Sequence, residues 1–216
     1  MDNNREFWDK YVKEFESNPE NSKYQLLGNN WKGENIFFQL LEKYSARTFT
    51  ALEIGCGGGR VTNFAKDLFR HIIATDISPE MIRKASSEVK GDNITWEVTD
   101  GFRLDQFPSN SQDIIYSHDV FVHFSSMQVY PYLLQMHRIL KPGGIGMVSF
   151  YNFVTHFKIF KGWTIKFNNQ KVLPQSMRHH FMTEEMLRVM LADIGYEVIE
   201  IEKTNFLIGV FKKLDK

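Results

Sequence analysis

From residue 48 onward, short β-rich runs alternate with helical stretches, and this rhythm limits the possible folds more than any other feature. The candidate strands are Thr50–Ile54, His71–Asp76, Ile94–Thr99, Asp113–Ser117 and Ile145–Tyr151. Between them the helical candidates are Val61–Phe69, Pro79–Val89 and Ser126–Leu140. Ser78 followed by Pro79 reads as an N-cap with proline in the first turn. Lys141-Pro142-Gly143-Gly144 reads as a stop and turn into the next strand, and Pro131 predicts a kink or a late start for the preceding helix. Strands separated by helices require right-handed crossovers, hence a parallel sheet covered on both faces. After a helix at Thr183–Ile194 the rhythm changes, because Tyr196–Lys203 and Phe206–Lys212 are separated only by Thr204-Asn205. So short a connection joins antiparallel strands. The expectation is a doubly wound, mostly parallel seven-stranded α/β sheet with an antiparallel strand from the C-terminal hairpin.

Two aromatic-rich segments with helical spacing precede this region: Phe7, Trp8, Tyr11, Val12 and Phe15, then Ile36, Phe37, Leu40, Leu41 and Tyr44. The polar stretch between them, with Pro19 and Gly28, reads as a loop. Residues 1–45 are thus expected to form an N-terminal helical cap or lid on a domain spanning 46–216. The length of 216 residues suits one domain. The 26 basic and 26 acidic side chains cancel, which argues against a protein that coats nucleic acid. A single cysteine, Cys56, excludes an internal disulfide, and no cluster has the spacing of metal ligands. The polar N-terminus lacks the pattern of a signal peptide, and no apolar run reaches the roughly 18 residues of a membrane span. A cytoplasmic protein with no membrane partner is expected.

The densest local signal is Glu53-Ile54-Gly55-Cys56-Gly57-Gly58-Gly59-Arg60, where the first strand meets the first helix. Glycines there let the backbone turn sharply and approach a ligand, and open α/β sheets bind ligands at this end. A dinucleotide fingerprint would carry its third glycine where Arg60 stands, and a phosphate-binding P-loop would end in Gly-Lys-Ser/Thr.

With these residues in place, the chain resembles the class I S-adenosylmethionine-dependent methyltransferases over about residues 48–150. Glu53-x-Gly55-x-Gly57-x-Gly59 is similar to the family's first motif, and Asp76 matches the acidic residue that accepts both ribose hydroxyls. Asp100, followed by Gly101 and Phe102, matches the position that reads the adenine amine. Tyr116 to Phe124 resembles the motif after strand four, and Leu140 to Gly144 the usual turn before strand five. The resemblance implies a Rossmann-like methyltransferase using S-adenosyl-L-methionine and releasing S-adenosyl-L-homocysteine. It assigns Glu53, Gly55, Cys56 and Gly57 to the methionine end, and Asp76, Ile77 and Met81 to ribose and adenine. Asp100, Gly101, Phe102, Ser117 and, from the cap, Tyr11 complete that set. The chemistry agrees, since one carboxylate can accept from two vicinal hydroxyls.

Just beyond strand four, His118, Asp119 and His123 are candidates for the general base that a hydroxyl acceptor requires. His123 leads because imidazole titrates near working pH. The run Val120–Thr183 holds no acidic residue but carries Arg138, Lys141, Lys158, Lys161, Lys166, Lys171 and Arg178. Its part from 152 to 182 falls where the family places a variable segment over the substrate. A basic wall there would receive an anionic small-molecule acceptor; a solvated basic face is the alternative. Trp8, Tyr11 and Trp31 are read either as a lid or as packing. Two further readings stay open: a catalytically silent binding module, and a nicotinamide-dependent reductase.

Overall fold

The computed structural model describes residues 3–18, 35–170 and 179–214. Trp31, Lys171, Arg178 and the loop residues Pro19 and Gly28 lie outside them. Seven strands follow the expected positions: β1 Thr50–Ile54, β2 His71–Asp76, β3 Ile94–Val98, β4 Gln112–Ser117, β5 Leu140–Asn152, β7 Tyr196–Lys203 and β8 Phe206–Lys213. They form one sheet in the order β3-β2-β1-β4-β5-β8-β7. Strands β1 to β5 run parallel, and β8 is antiparallel to both β5 and β7. An eighth strand, β6, has only two residues, Phe181–Met182, and pairs with Tyr151 and Asn152 beyond the end of β4. A two-residue strand carries no periodicity to read.

The chain leaves β3 at the sheet edge and returns to place β4 beside β1, so the strand order reverses between these two. The C-terminal ends at such a reversal are the position where sheets of this kind bind ligands.

Alternating side chains divide the core between the two faces. Ala51, Ile72, Ile114 and Tyr116 meet helices α2 (Ile36–Lys43) and α3 (Arg60–Ala65) on one side. Leu52, Ile115, Val148 and Phe211 meet α5 (Ser126–Ile139) and α7 (Glu184–Ile194) on the other. Helix α2 gives the first cluster Phe37, Leu40 and Leu41, all buried. Each such side chain contributes about 1.5–3 kcal/mol relative to exposure. The first helix, α1 (Asn3–Glu16), instead packs on α4 (Pro79–Glu88), burying Val12 against Met81.

Three local features refine these expectations. α5 is one helix with Pro131 inside it, placed early enough that the lost hydrogen bond falls near its start. The Lys141–Gly144 turn is a wide bulge within β5: Gln112 pairs with Leu140, and the next pairing is Ile114 with Ile145. The segment after β5, read only as variable, begins with an 18-residue helix, α6 (Phe153–Gln170).

Candidate functional site

The glycine turn after β1 is held from below by strand β4. Gly55 has φ +74°, and a Cβ there would lie 2.4 Å from a methyl of Val120, so glycine is required on two counts. The Ser117 hydroxyl donates to the Ile54 carbonyl at 2.7 Å and ties the end of β4 to β1. Ser117 is completely buried, which gives its hydroxyl a structural partner within the sheet. Cys56 turns its thiol into the α2–α3 core, and its N–H donates to the Thr75 carbonyl at 2.7 Å. Burial pushes that thiol well up, so Cys56 offers a ligand only its backbone.

Two buried carboxylates flank the turn. Glu53 accepts from Thr62 Oγ1 at 2.7 Å and from Tyr116 OH at 3.1 Å. Burial pushes its carboxyl up to about 7 against those two hydrogen bonds, and the neighbouring Asp76 charge adds to the rise. Asp76 accepts from Gly57 N–H on one oxygen and from Ser78 N–H on the other, each at 2.9 Å. Burial outweighs these backbone donors and moves it up to about 6. Each oxygen of an ionised carboxylate has two acceptor positions, so both retain room for one further donor.

The adenine side is more exposed. Asp100 accepts from Phe102 N–H at 2.8 Å and Arg103 N–H at 2.7 Å. Burial pulls its pKa upward but is outweighed by these donors, and the carboxyl sits below the usual range. Its other oxygen faces Arg103 Nε at 3.7 Å, an exposed pair that an incoming amine would share or displace. Gly101, at φ +77°, lies so close to Ile77 that a Cβ would meet that side chain at 2.5 Å. Ile77 and Gly101 thus form one wall between β2 and β3, with Phe102 exposed beside it. Met81 is fully buried beneath Val12, and Tyr11 packs edge-on against Trp8 at 5.7 Å.

Sequence reasoning missed the clamp on this wall. Arg5 Nε donates to the Ile77 carbonyl and Nη2 to the Thr99 carbonyl, each at 3.0 Å, so one guanidinium joins the ends of β2 and β3. Ser78 Oγ donates to Asp9 at 2.5 Å and adds a second tie to α1. Arg5 lies in the polar terminal stretch and has the signature of a solvated residue; only the fork geometry of arginine hints otherwise.

Beyond β4, the three base candidates separate. His118 is buried, stacks on Phe37 with ring centroids 4.1 Å apart, and has Nδ1 2.8 Å from Ser149 Oγ. Burial, then the charge of Arg60, moves it down to about 3. This is the environment of a core imidazole. Asp119 has φ 61°, an uncommon left-handed conformation for a non-glycine residue, and its N–H donates to Ser149 Oγ at 2.9 Å. Burial raises its carboxyl to about 6, with Arg60 pulling the other way. His123 faces Trp8 at 5.4 Å and His179 at 5.2 Å between ring centroids. Burial first, then His179 and His180, lower it to about 4, so its ring is neutral at pH 7.

His179 meets Tyr151 at 4.9 Å, and Tyr151 stacks on His156 at 4.8 Å. A ring-lined wall therefore runs from α1 across the ends of β4 and β5. The described cations of the basic run lie elsewhere, and Lys171 and Arg178 fall outside the described residues. Arg138 donates to the Phe107 and Leu104 carbonyls, and Lys141 pairs with Asp113 at 2.7 Å, both at the opposite end of the sheet. Lys158, Lys161 and Lys166 are exposed on α6. Among the described residues no group of side chains could hold a metal ion, and no helix is long and apolar enough to cross a membrane.

The order of the sheet, the glycine turn and the two strand-end carboxylates define a class of protein, and comparison with known proteins agrees. The methyltransferase domain family matches residues 52–148. That match is consistent with the class I S-adenosylmethionine-dependent methyltransferase family. It is 32% identical over 106 residues to the 2-methyl-6-phytyl-1,4-hydroquinone methyltransferase of a Synechocystis species, covering 48% of this chain and 32% of that protein. It is 35% identical over 104 residues to phosphoethanolamine N-methyltransferase 1 of Arabidopsis thaliana, covering 46% of this chain and 20% of that one. The chain thus spans a third or less of these two relatives. Among solved structures it superposes on the N-methyltransferase NodS of Bradyrhizobium japonicum, bound to S-adenosyl-L-homocysteine, with a TM-score of 0.68. Identity there is 18%, over 96% of this chain and 99% of NodS.

Proposed function

We propose that this protein transfers a methyl group from S-adenosyl-L-methionine to a small-molecule acceptor. The observation that carries the reading is the pair of buried carboxylates, Glu53 and Asp76, ending neighbouring strands with unused acceptor capacity. A buried carboxyl displaced upward gains most from a cationic or hydroxyl-bearing partner. Glu53 suits the ammonium of the methionine end, Asp76 the two ribose hydroxyls, and Asp100 the adenine amine. The Gly55–Gly57 turn, which tolerates no Cβ at Gly55, gives backbone access to the same end. When bound, the cofactor supplies a methyl group on a sulfonium for in-line displacement. The chain's own work is to align the acceptor and exclude water, and the ring wall with α1 above it suits both.

On the acceptor side, Asp119 suits the proton of a hydroxyl or ammonium acceptor better than His123 does. A carboxyl at about 6 lies nearer working pH than an imidazole at about 4. The cleft lined by Trp8, His123, His179 and Tyr151 holds neutral rings beside this carboxylate. Those neighbours favour an aromatic or amine-bearing acceptor over the anionic one that the basic run suggests. Within the 1–45 segment α1 serves as the cap while α2 belongs to the core, and a cytoplasmic location fits the free cysteine.

Calorimetric titration tests the cofactor half. S-adenosyl-L-homocysteine should bind and NAD should not; the reverse would move the protein to the reductases. Turnover of labelled S-adenosyl-L-methionine with a panel of phenols and amines tests the other half. Binding without turnover of any acceptor would favour a silent binding module.

A further inference from the structure

We infer that the outer face of α6 docks on an anionic lipid surface. Helix α6 leaves the C-terminal end of β5, where Asn152 Oδ1 accepts from Val154 N–H at 3.1 Å and fixes the helix start to the sheet. Its inner side is aromatic: Phe153, His156 and Phe160 meet Phe181 with ring centroids 6.2, 6.4 and 5.7 Å away. The opposite side carries Val154, Lys158, Lys161 and Ile165, whose steps of four, three and four residues set them in one stripe along the helix. Val154 is 75% and Ile165 53% exposed, and Phe157, half exposed, stands beside Lys161. Apolar side chains at both ends of the stripe and two cations at its middle are the pattern of a helix lying in a membrane interface. There the apolar groups enter the acyl boundary while the lysines reach the headgroups.

Charge selects the occupant. No acidic residue occurs anywhere from Val120 to Thr183, so α6 itself carries nothing that repels a negative surface. A second copy packed stripe to stripe would oppose lysine with lysine, a destabilising arrangement. Nucleic acid would pair with the lysines but leave Val154 and Ile165 without a partner, and the formal net charge of the whole chain is zero. A surface with both an anionic layer and an apolar layer satisfies all four residues. Lying on a membrane differs physically from spanning one, and α6, with three lysines in its 18 residues, does the former.

The test is sedimentation of the full chain with vesicles of phosphatidylcholine alone and of phosphatidylcholine mixed with phosphatidylglycerol. Binding should appear only with the mixed vesicles and be released by high salt. Each lysine near an anionic surface is worth about fivefold in partitioning, so K158E/K161E should lower it by about a hundredfold or more. V154S/I165S should lower it by about tenfold. Lys10→Glu, on exposed α1, should leave it unchanged. Circular dichroism and S-adenosyl-L-homocysteine affinity, both expected to stay at wild-type values, separate lost docking from lost folding. Equal binding to both vesicles, no binding to either, or K158E/K161E binding like wild type would overturn the proposal. So would a dimer or an RNA complex abolished by K158E/K161E in a protein that ignores the mixed vesicles.

Discussion

The crevice has two sides built on different principles. At the ends of β1, β2 and β3 the chain assembles local pieces: a glycine turn, a carboxylate at each strand end, and backbone N–H groups that already hold those carboxylates. At the ends of β4 and β5 the wall is made of rings from distant parts of the sequence, with Trp8 from α1, His123 after β4, Tyr151 from β5 and His179 before β6. The first side is built from fixed charges and hydrogen bonds, the second from shape and desolvation. A scaffold of this kind can keep one ligand constant while its other wall changes. The two sides should therefore respond differently to substitution, the first in affinity and the second in rate.

The largest effect is expected on the second side. Asp119→Asn keeps a side chain that tolerates the left-handed backbone and removes only the charge. With a hydroxyl acceptor, kcat should fall by about 10²–10⁴-fold while cofactor affinity holds. His123→Ala should cost kcat less than Asp119→Asn does. If His123→Ala proves the more severe, the assignment of the base reverts to the imidazole.

The next effect concerns pH. The Glu53 carboxyl is raised from the ordinary value of 4.5 to about 7, so the folded protein holds a proton that the unfolded chain releases. The stability this confers is fully present below pH 4.5 and is lost as pH rises through 7. In ligand-free protein, the wild-type minus Glu53→Gln difference in unfolding free energy should fall by about 3 kcal/mol across that window. Denaturant titration at both ends of the window measures it, and a flat difference would mean that Glu53 is ionised throughout.

Asp76→Ala should weaken S-adenosyl-L-methionine binding by about 2–3 kcal/mol, because two buried ligand hydroxyls lose a charged acceptor. Calorimetry decides this one, and an unchanged dissociation constant would remove Asp76 from the site. The smallest effect is that of Arg5→Ala, which frees the carbonyls of Ile77 and Thr99. A loss of about 1–2 kcal/mol in stability is expected, since both bonds are charge-assisted but partly solvated. Equal stability would mean that the Val12–Met81 packing and the Ser78–Asp9 bond hold α1 without the Arg5 clamp.

The difference between the two sides also explains what could be read from the sequence. Asp76 and Asp100 are legible because each closes a strand whose period is visible, and the glycine turn is legible because few other residues fit it. His118 and His123 look alike in sequence, yet one is stacked inside the core on Phe37 and the other faces Trp8. Burial of that kind depends on α1 and α2, far away along the chain. Lys141 and Lys158 share one acid-free run, but the first pairs with Asp113 at the far end of the sheet. Net charge along a run says nothing about which end of a strand receives it. Helix α6 is hard to read because its outward side also carries apolar residues, Val154 and Ile165, which blurs the contrast with the aromatic inner side.

The strand order has a consequence for how the protein acquires its site. Ser117 and Ile54, whose hydrogen bond joins the two sides of the crevice, are 63 positions apart, with β2, α4 and β3 between them. Closing so long a loop is entropically slow compared with forming the hairpin β7–β8, and the Gly55 turn has no floor until β4 arrives. A nascent chain ending before residue 112 carries the glycine turn, Asp76 and Asp100 yet lacks Ser117 and Val120, which brace that turn from β4. Ligand binding should then appear only once β4 has docked beside β1, so that competence to bind is itself a readout of that long-range closure.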